Sequence, residues 1–482
     1  MKARHFFGII AAAPFLASLW ALQSCAGQGG PLGGGIDPGL SAAFLALLPA
    51  AQKDATYIGA TGCTDNGCHG GRDEEVVYHQ WIDTKHAAVG TTCESCHGPG
   101  SVHRDGPAED NILTFPKITS AVVCAQCHGK VYDEWRLSQH SKLITSPIMS
   151  AVQNPSTYAR NSRCVSCHSG LWRTQIDEGG VDVPSMSNAE VQVIANNTLN
   201  DVPHTASCVT CHDPHSNTDY LSDDGKQVQL RHSVFNADTT EIGPGTSAAT
   251  FTRFNQICAQ CHNGRGANPA DSALTTGTAR PNMHDSNQFN MLMGIGGVEG
   301  SGPVIRNTAH ANIPGQCSKC HMPDSRHSFT VSFDKGCNPC HTAADAAART
   351  SVVKQEIVDK LYALRNRMNS WALATFGDED MWEYTATITG EGKTPPNQTL
   401  VPIQVKRSRH NYYFVLRDKC FGPHNFPYAD HLIRIANENM DEVFAASASM
   451  PGRDAGMTYE RKMAILLSDL ERTKRAGWSE NE

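Results

Sequence analysis

Val353, Ile357, Leu361, Leu364, Met368 and Trp371 follow one another at spacings of 4, 4, 3, 4 and 3. That is the period of a helix with one apolar face, so an amphipathic helix is predicted over this stretch. Leu432, Ala436, Met440 and Val443 repeat the pattern, and residues 458–474 predict a further helix. Between Tyr57 and about Thr342 the chain behaves differently. It is rich in Gly, Pro, Asn and Ser and has no long periodic segment, which predicts short helices joined by irregular chain. At the N-terminus, Lys2 and Arg4 precede an apolar run over residues 6–22, the form of an export signal. The run ends in Leu22-Gln23-Ser24-Cys25, which resembles a bacterial lipobox and would leave Cys25 acylated. Ordinary cleavage after Ala26 also suits the sequence. Both routes export the chain, and no later stretch is long and apolar enough to span a bilayer as a helix. The Gly-rich residues 27–38 have the composition of a flexible linker.

Four segments are therefore expected: a signal over 1–25, a tether over 26–56, a middle domain over 57–344 and a helical region over 345–482. The expected fold class is mainly α with much irregular coil and little β, the C-terminal helices packing on the middle domain.

Composition changes this picture in one respect. The chain has 482 residues, 40% of them hydrophobic and only 7% aromatic. Such a chain is poorly supplied for large side-chain cores, so part of its apolar filling is expected to be something other than protein. It also carries 18 Cys and 22 His, far more cysteine than cytosolic enzymes carry.

Those residues fall into one arrangement. C-x-x-C-H occurs at Cys93-Cys96-His97, Cys124-Cys127-His128, Cys164-Cys167-His168, Cys208-Cys211-His212, Cys258-Cys261-His262, Cys317-Cys320-His321 and Cys337-Cys340-His341. A looser copy, "CTDNGCH", has Cys63, Cys68 and His69. Two thiols on one helical turn match the two vinyl positions of a porphyrin, and the adjacent histidine reaches the iron from below. Zinc sites use pairs of C-x-x-C without an obligatory following His, so seven strict copies in an exported chain point to covalent c-type haem. For Cys63 and Cys68 the competing reading is a disulfide. Eight motifs take 16 of the 18 cysteines, leaving Cys25 for a lipid and Cys420 as a free thiol. Setting aside the eight proximal histidines and His5 leaves 13 of 22, enough for a second imidazole on every iron. An iron with two histidines is closed to substrate and tends to low potential.

The order of the motifs carries a resemblance. "YIGATGCTDNGCHGG…HQWIDTKH" and "CAQCHGKVYDEWRLSQH" each place W-x-x-[ST]-x-H after a haem motif. "CESCHGPGSVH", "CVTCHDPH", "CAQCHNGRG", "MHDSNQFNMLMGIGG", "CSKCHMP…HSF" and "GPHNFPYADHLIRIA" follow in turn. From about Tyr57 to Ala436 the chain resembles the multihaem cytochrome c superfamily. That group includes the tetrahaem cytochrome partner of hydroxylamine oxidoreductase, octahaem reductases, pentahaem nitrite reductase and extracellular cytochromes. The resemblance implies eight c-type haems, with distal ligands at His86, His103, His140, His215, His327 and His424. His204 and His310, each just upstream of a motif, and His284 in "MHDSNQ" are the other candidates. Nine candidates thus compete for eight irons. His79, His232, His410 and His431 are expected to be surface or structural residues. Cys420 and Pro423 stand where relatives more often have Ser and Val before the final G-x-HN.

Three functions follow as expectations. The first is an electron-transfer protein, its haems forming one continuous stack between redox partners, with other multihaem cytochromes among the candidate partners. The second is an octahaem reductase of nitrite, hydroxylamine or a sulfur oxyanion, which needs one open iron. Some reductases mark that haem with C-x-x-C-K, and here all eight motifs end in His. Arg265 is the candidate cation for such a pocket, although Arg there also suits a propionate. The third is a subunit of a conducting filament or homo-oligomer. The location expected is the periplasm, outer membrane or cell surface of a Gram-negative bacterium, with a lipid anchor. The formal charge of −8, deepened by two propionates per haem, argues against nucleic acid and for basic patches on redox partners. "GEGKT" at Gly390–Thr394 is not a phosphate loop, since Thr387 stands where the first glycine belongs. Pro395 and Pro396 also block the helix that would follow.

Overall fold

The computed structural model describes residues 38–64, 69, 75–142, 167–174, 187, 189–190, 205–237, 254–264, 270–275, 285–304, 306, 308–445 and 456–476. Cys25, Cys68, Cys164, His204, Arg265 and His284 lie outside them. The described chain is mainly helical, and its β-structure is limited to isolated bridges, His212 with Leu230 and Leu221 with Gln227. It divides into two compact units, residues 1–233 with 321–330, and residues 234–320 with 331–482. The C-terminal helices therefore share a unit with the residues around the sixth motif.

In the first unit, short helices carry the motifs: Gly59–Thr64, Cys93–His97, Ala121–Ala125 and Cys208–Cys211. Phe44 and Leu48 bury against Leu113 and Val123 in a small apolar cluster. The tether expected over 26–56 is thus corrected for its second half. Pro38–Leu47 is a helix that delivers Phe44 to this cluster, and Gln52, fully buried, donates its amide to the carbonyls of His97 at 2.6 Å and Pro99 at 3.1 Å. Glycines at 27–36 suggested a linker, but the apolar Phe44 and Leu48 beyond them have somewhere to pack.

The second unit holds the large side-chain core. Helix α1 (Ala343–Phe376) opens on the Thr342 hydroxyl, which accepts from the Asp345 N–H at 3.2 Å. It ends at Gly377, whose φ of 76° supplies the left-handed turn. Ile357, Leu361, Leu364, Met368 and Trp371 are buried along it as their spacing predicts. Helices α2 (Ile403–Asp418), α3 (Phe426–Ala445) and α4 (Tyr459–Ala476) complete the packing. α2 has no counterpart among the predicted helices. Almost every residue from Val405 to Asp418 is buried, so it has no polar face and shows no 3.6-residue alternation. Two of its buried arginines meet carboxylates. Arg409 meets Glu383 at 2.8 Å with side chains 4% and 0% exposed, and Arg417 meets Asp285 at 3.1 Å. In the "GEGKT" loop, Lys393 ion-pairs with Asp378 and Asp380.

Candidate haem-binding centres

Five of the motifs close on themselves through the backbone. The N–H of the histidine bonds the carbonyl of the first cysteine in His128 (2.9 Å), His212 (3.0 Å), His262 (2.8 Å) and His341 (3.0 Å). One turn thereby fixes two thiols and an imidazole on a single short element. The looser first copy does the same, His69 N–H reaching Cys63 O at 3.1 Å despite its longer spacer. Cys317–His321 is likewise a helix. None of the described motif cysteines is in a disulfide.

Thiols of different motifs meet. Cys93 hydrogen-bonds Cys63, which lowers its pKa to about 7. Cys124 bonds Cys208, and Cys317 bonds Cys258. The first and second, third and fifth, and sixth and seventh motifs are therefore immediate neighbours. The fourth abuts the fifth through Gly170, where a Cβ would collide with the Thr205 carbonyl and the Thr210 hydroxyl.

The histidines come together in pairs. Ring centroids lie 6.2 Å apart for His69 and His103, 6.0 Å for His97 and His215, and 6.1 Å for His128 and His86. They lie 6.1 Å apart for His212 and His327, and 6.4 Å for His341 and His310. A metal–imidazole bond is about 2 Å. The centre of a five-membered ring with bonds of about 1.33 Å lies about 1.1 Å behind its nitrogen. Two rings facing each other across one ion therefore stand about 6.2 Å apart. The donor set and its spacing fit a c-type haem iron at these five places.

The second ring nitrogen supports the same assignment. Nδ1 faces a backbone carbonyl in His97 (Leu113, 2.8 Å), His212 (Val228, 2.8 Å), His310 (Pro423, 2.8 Å), His327 (Ser325, 2.9 Å) and His103 (Ala108, 3.1 Å). His321 Nδ1 faces Phe329 O and His262 Nδ1 the Gln288 side-chain oxygen, each at 3.3 Å. Each acceptor holds the proton on Nδ1 and leaves the Nε2 lone pair for a metal. Burial depresses the pKa of His97 and of His212 to about 4, so these rings are neutral, as a ligand must be. His410 and His431 are oriented the other way. Their Nε2 atoms face the carbonyls of Gly296 at 3.1 Å and Glu299 at 2.8 Å, the arrangement of structural histidines. His79 is exposed and His232 half-buried.

The five pairs leave His168, His262 and His321 as proximal positions, and His140, His204, His284 and His424 as distal candidates. His140 lies edge-on to Phe329 at 4.2 Å. His424 Nδ1 is 2.6 Å from Asp418 Oδ1, and Cys420 joins this cluster. Burial works against charge on His424, but Asp418 and Cys420 outweigh it and its pKa lies well above the ordinary value, opposite in direction to His97 and His212, so this ring binds a metal only by giving up its proton.

Sequence reasoning treated the residues between the cysteines as spacers and so missed Glu94. Buried within the second motif, it accepts from the N–H groups of Ile58 (2.9 Å), Gly59 (2.8 Å) and Gly100 (2.8 Å).

Residues 123–213, which carry the third, fourth and fifth motifs, match the family model of cytochrome c554 and c-prime. With the motifs, this match supports a multihaem c-type cytochrome. The crystal structure of the outer cell wall cytochrome OcwA is similar at 17% identity, covering 72% of this chain and 70% of that one, with a TM-score of 0.47. No curated protein matches the chain.

Proposed function

We propose that this chain is an exported octahaem cytochrome that carries electrons along closely spaced haems between redox partners. The observation that carries the reading is the set of five histidine pairs at 6.0–6.4 Å. Each haem, when bound, supplies one reversible one-electron couple. The chain's residues do the rest. The motif cysteines anchor the haems, and the proximal residues His69, His97, His128, His168, His212, His262, His321 and His341 hold the irons. His103, His215, His86, His327 and His310 close five of them, and the remaining three are closed from among His140, His204, His284 and His424. The backbone carbonyls facing Nδ1 fix each ring's tautomer and orientation. The nearness of neighbouring motifs brings adjacent haems close enough for electron transfer. The apolar run at 6–22 and Cys25 support export with a lipid anchor.

A closed ligand set favours conduction over reduction of a small substrate. The haem-loaded protein is expected to give a wholly low-spin ferric EPR spectrum, unchanged by nitrite or cyanide. One high-spin haem that shifts on adding either anion would instead make the chain a reductase.

A further inference from the structure

The helix Gly129–Leu137 follows directly on the third motif, its first turn closed by the bond from Tyr132 N–H to His128 O at 2.9 Å. Two adjacent residues on it reach the two sides of the fifth centre. Trp135 donates its indole N–H at 2.8 Å to the carbonyl of Ala206, on the segment that leads into Cys208 and His212. Glu134 Oε2 accepts the backbone N–H of His327 at 2.8 Å, and the His327 ring stands 6.1 Å from that of His212. All these residues belong to the first unit.

The loop that presents His327 is strained. Asp324 (φ 56°), Ser325 (φ 58°) and Phe329 (φ 55°) are left-handed although none is glycine. Side chains make that conformation costly, and it persists where surrounding contacts impose it. Ser325 O faces His327 Nδ1 at 2.9 Å and so sets the ring's tautomer. That contact lies within the loop and moves with it. Glu134 instead comes from 193 residues away in the chain. Its side chain is 18% exposed, and Arg326 Nε lies 3.6 Å from its other oxygen. A partly desolvated carboxylate holds a backbone N–H more firmly than a neutral acceptor does.

From these contacts we infer that Glu134 is a positioning residue for the distal ligand of the fifth haem. Its hydrogen bond seats His327 on the iron and keeps that iron closed to small anions. The inference rests on the proposed ligation of one iron by His212 and His327. A helix seated by the third motif thereby holds shut the iron of the fifth.

The test is cyanide uptake by the haem-loaded ferric protein, followed by absorbance and EPR. It compares wild type, Glu134→Ala, Glu134→Gln, His327→Ala and the double variant E134A/H327A. H327A is expected to show one high-spin haem that binds cyanide. E134A is expected to take up cyanide at one haem about tenfold faster or more than wild type, the factor that a hydrogen bond to a charged group contributes. E134Q keeps an acceptor oxygen and is expected to behave as wild type. The double variant should open the same single haem as H327A. If E134A does not load with haem, Glu134→Asp, one methylene too short for the bond, is expected to show the faster uptake in its place. If H327A opens one haem but neither E134A nor E134D takes up cyanide faster, the inference falls and the ligation stands. Uptake by E134Q as fast as by E134A, or a second open haem in the double variant, would overturn it in the same way. If H327A leaves every haem low-spin, the ligation by His327 falls and takes the inference with it.

Discussion

Replacing Glu383 with alanine is expected to lower stability by about 3–5 kcal/mol, the cost of stranding a buried charge. The stranded group is Arg409, whose Nε lies 2.8 Å from Glu383 Oε2 and whose side chain is 4% exposed. Its guanidinium lies over the rings of Tyr413 at 4.8 Å and Tyr384 at 5.3 Å, which stabilise it less than a carboxylate does. Tyr413, which donates its hydroxyl to Glu383, loses an acceptor as well. Adding Arg409→Met removes the stranded charge and restores part of the loss. Thermal unfolding of the haem-loaded protein, followed by circular dichroism, measures both. A double variant no more stable than E383A would show that the ion pair does not govern this core.

Replacing Glu94 with alanine is expected to cost the protein one haem. Its carboxylate accepts three backbone donors, and each one left unpaired costs about 1–3 kcal/mol. Two of them, Ile58 N–H and Gly59 N–H, begin the helix Gly59–Thr64 that carries Cys63. The second motif thereby holds the first in place for its haem. Mass spectrometry of E94A should show a population with one haem missing, and peptide mapping should place the loss at Cys63. E94Q keeps an acceptor and should lose less. Full loading of E94A would mean the first motif folds without this clamp.

How much was readable in the sequence depended on whether a feature was periodic or local. The motifs are local, and the residues of the turn that closes Cys208 onto His212 are also adjacent in the chain. The face of α1 is periodic, and Ile357, Leu361 and Trp371 lie inside as their spacing requires. α2 escaped notice because a helix buried all round has no contrast between faces. Glu94 did so because a spacer position carries no pattern; only the fold brings Ile58 and Gly100 to it. Which histidines are ligands was legible as a surplus. His410 and His431 are set apart from the candidate ligands in the sequence already, and the structure adds that their Nε2 atoms lie against backbone carbonyls. Acceptors such as Leu113 O and Val228 O have no side-chain signature.

The most direct measurement is the intact mass of the mature chain co-expressed with a cytochrome c maturation system. Eight covalently added haems are predicted. Bare polypeptide, or a chain carrying only one or two, would contradict the account.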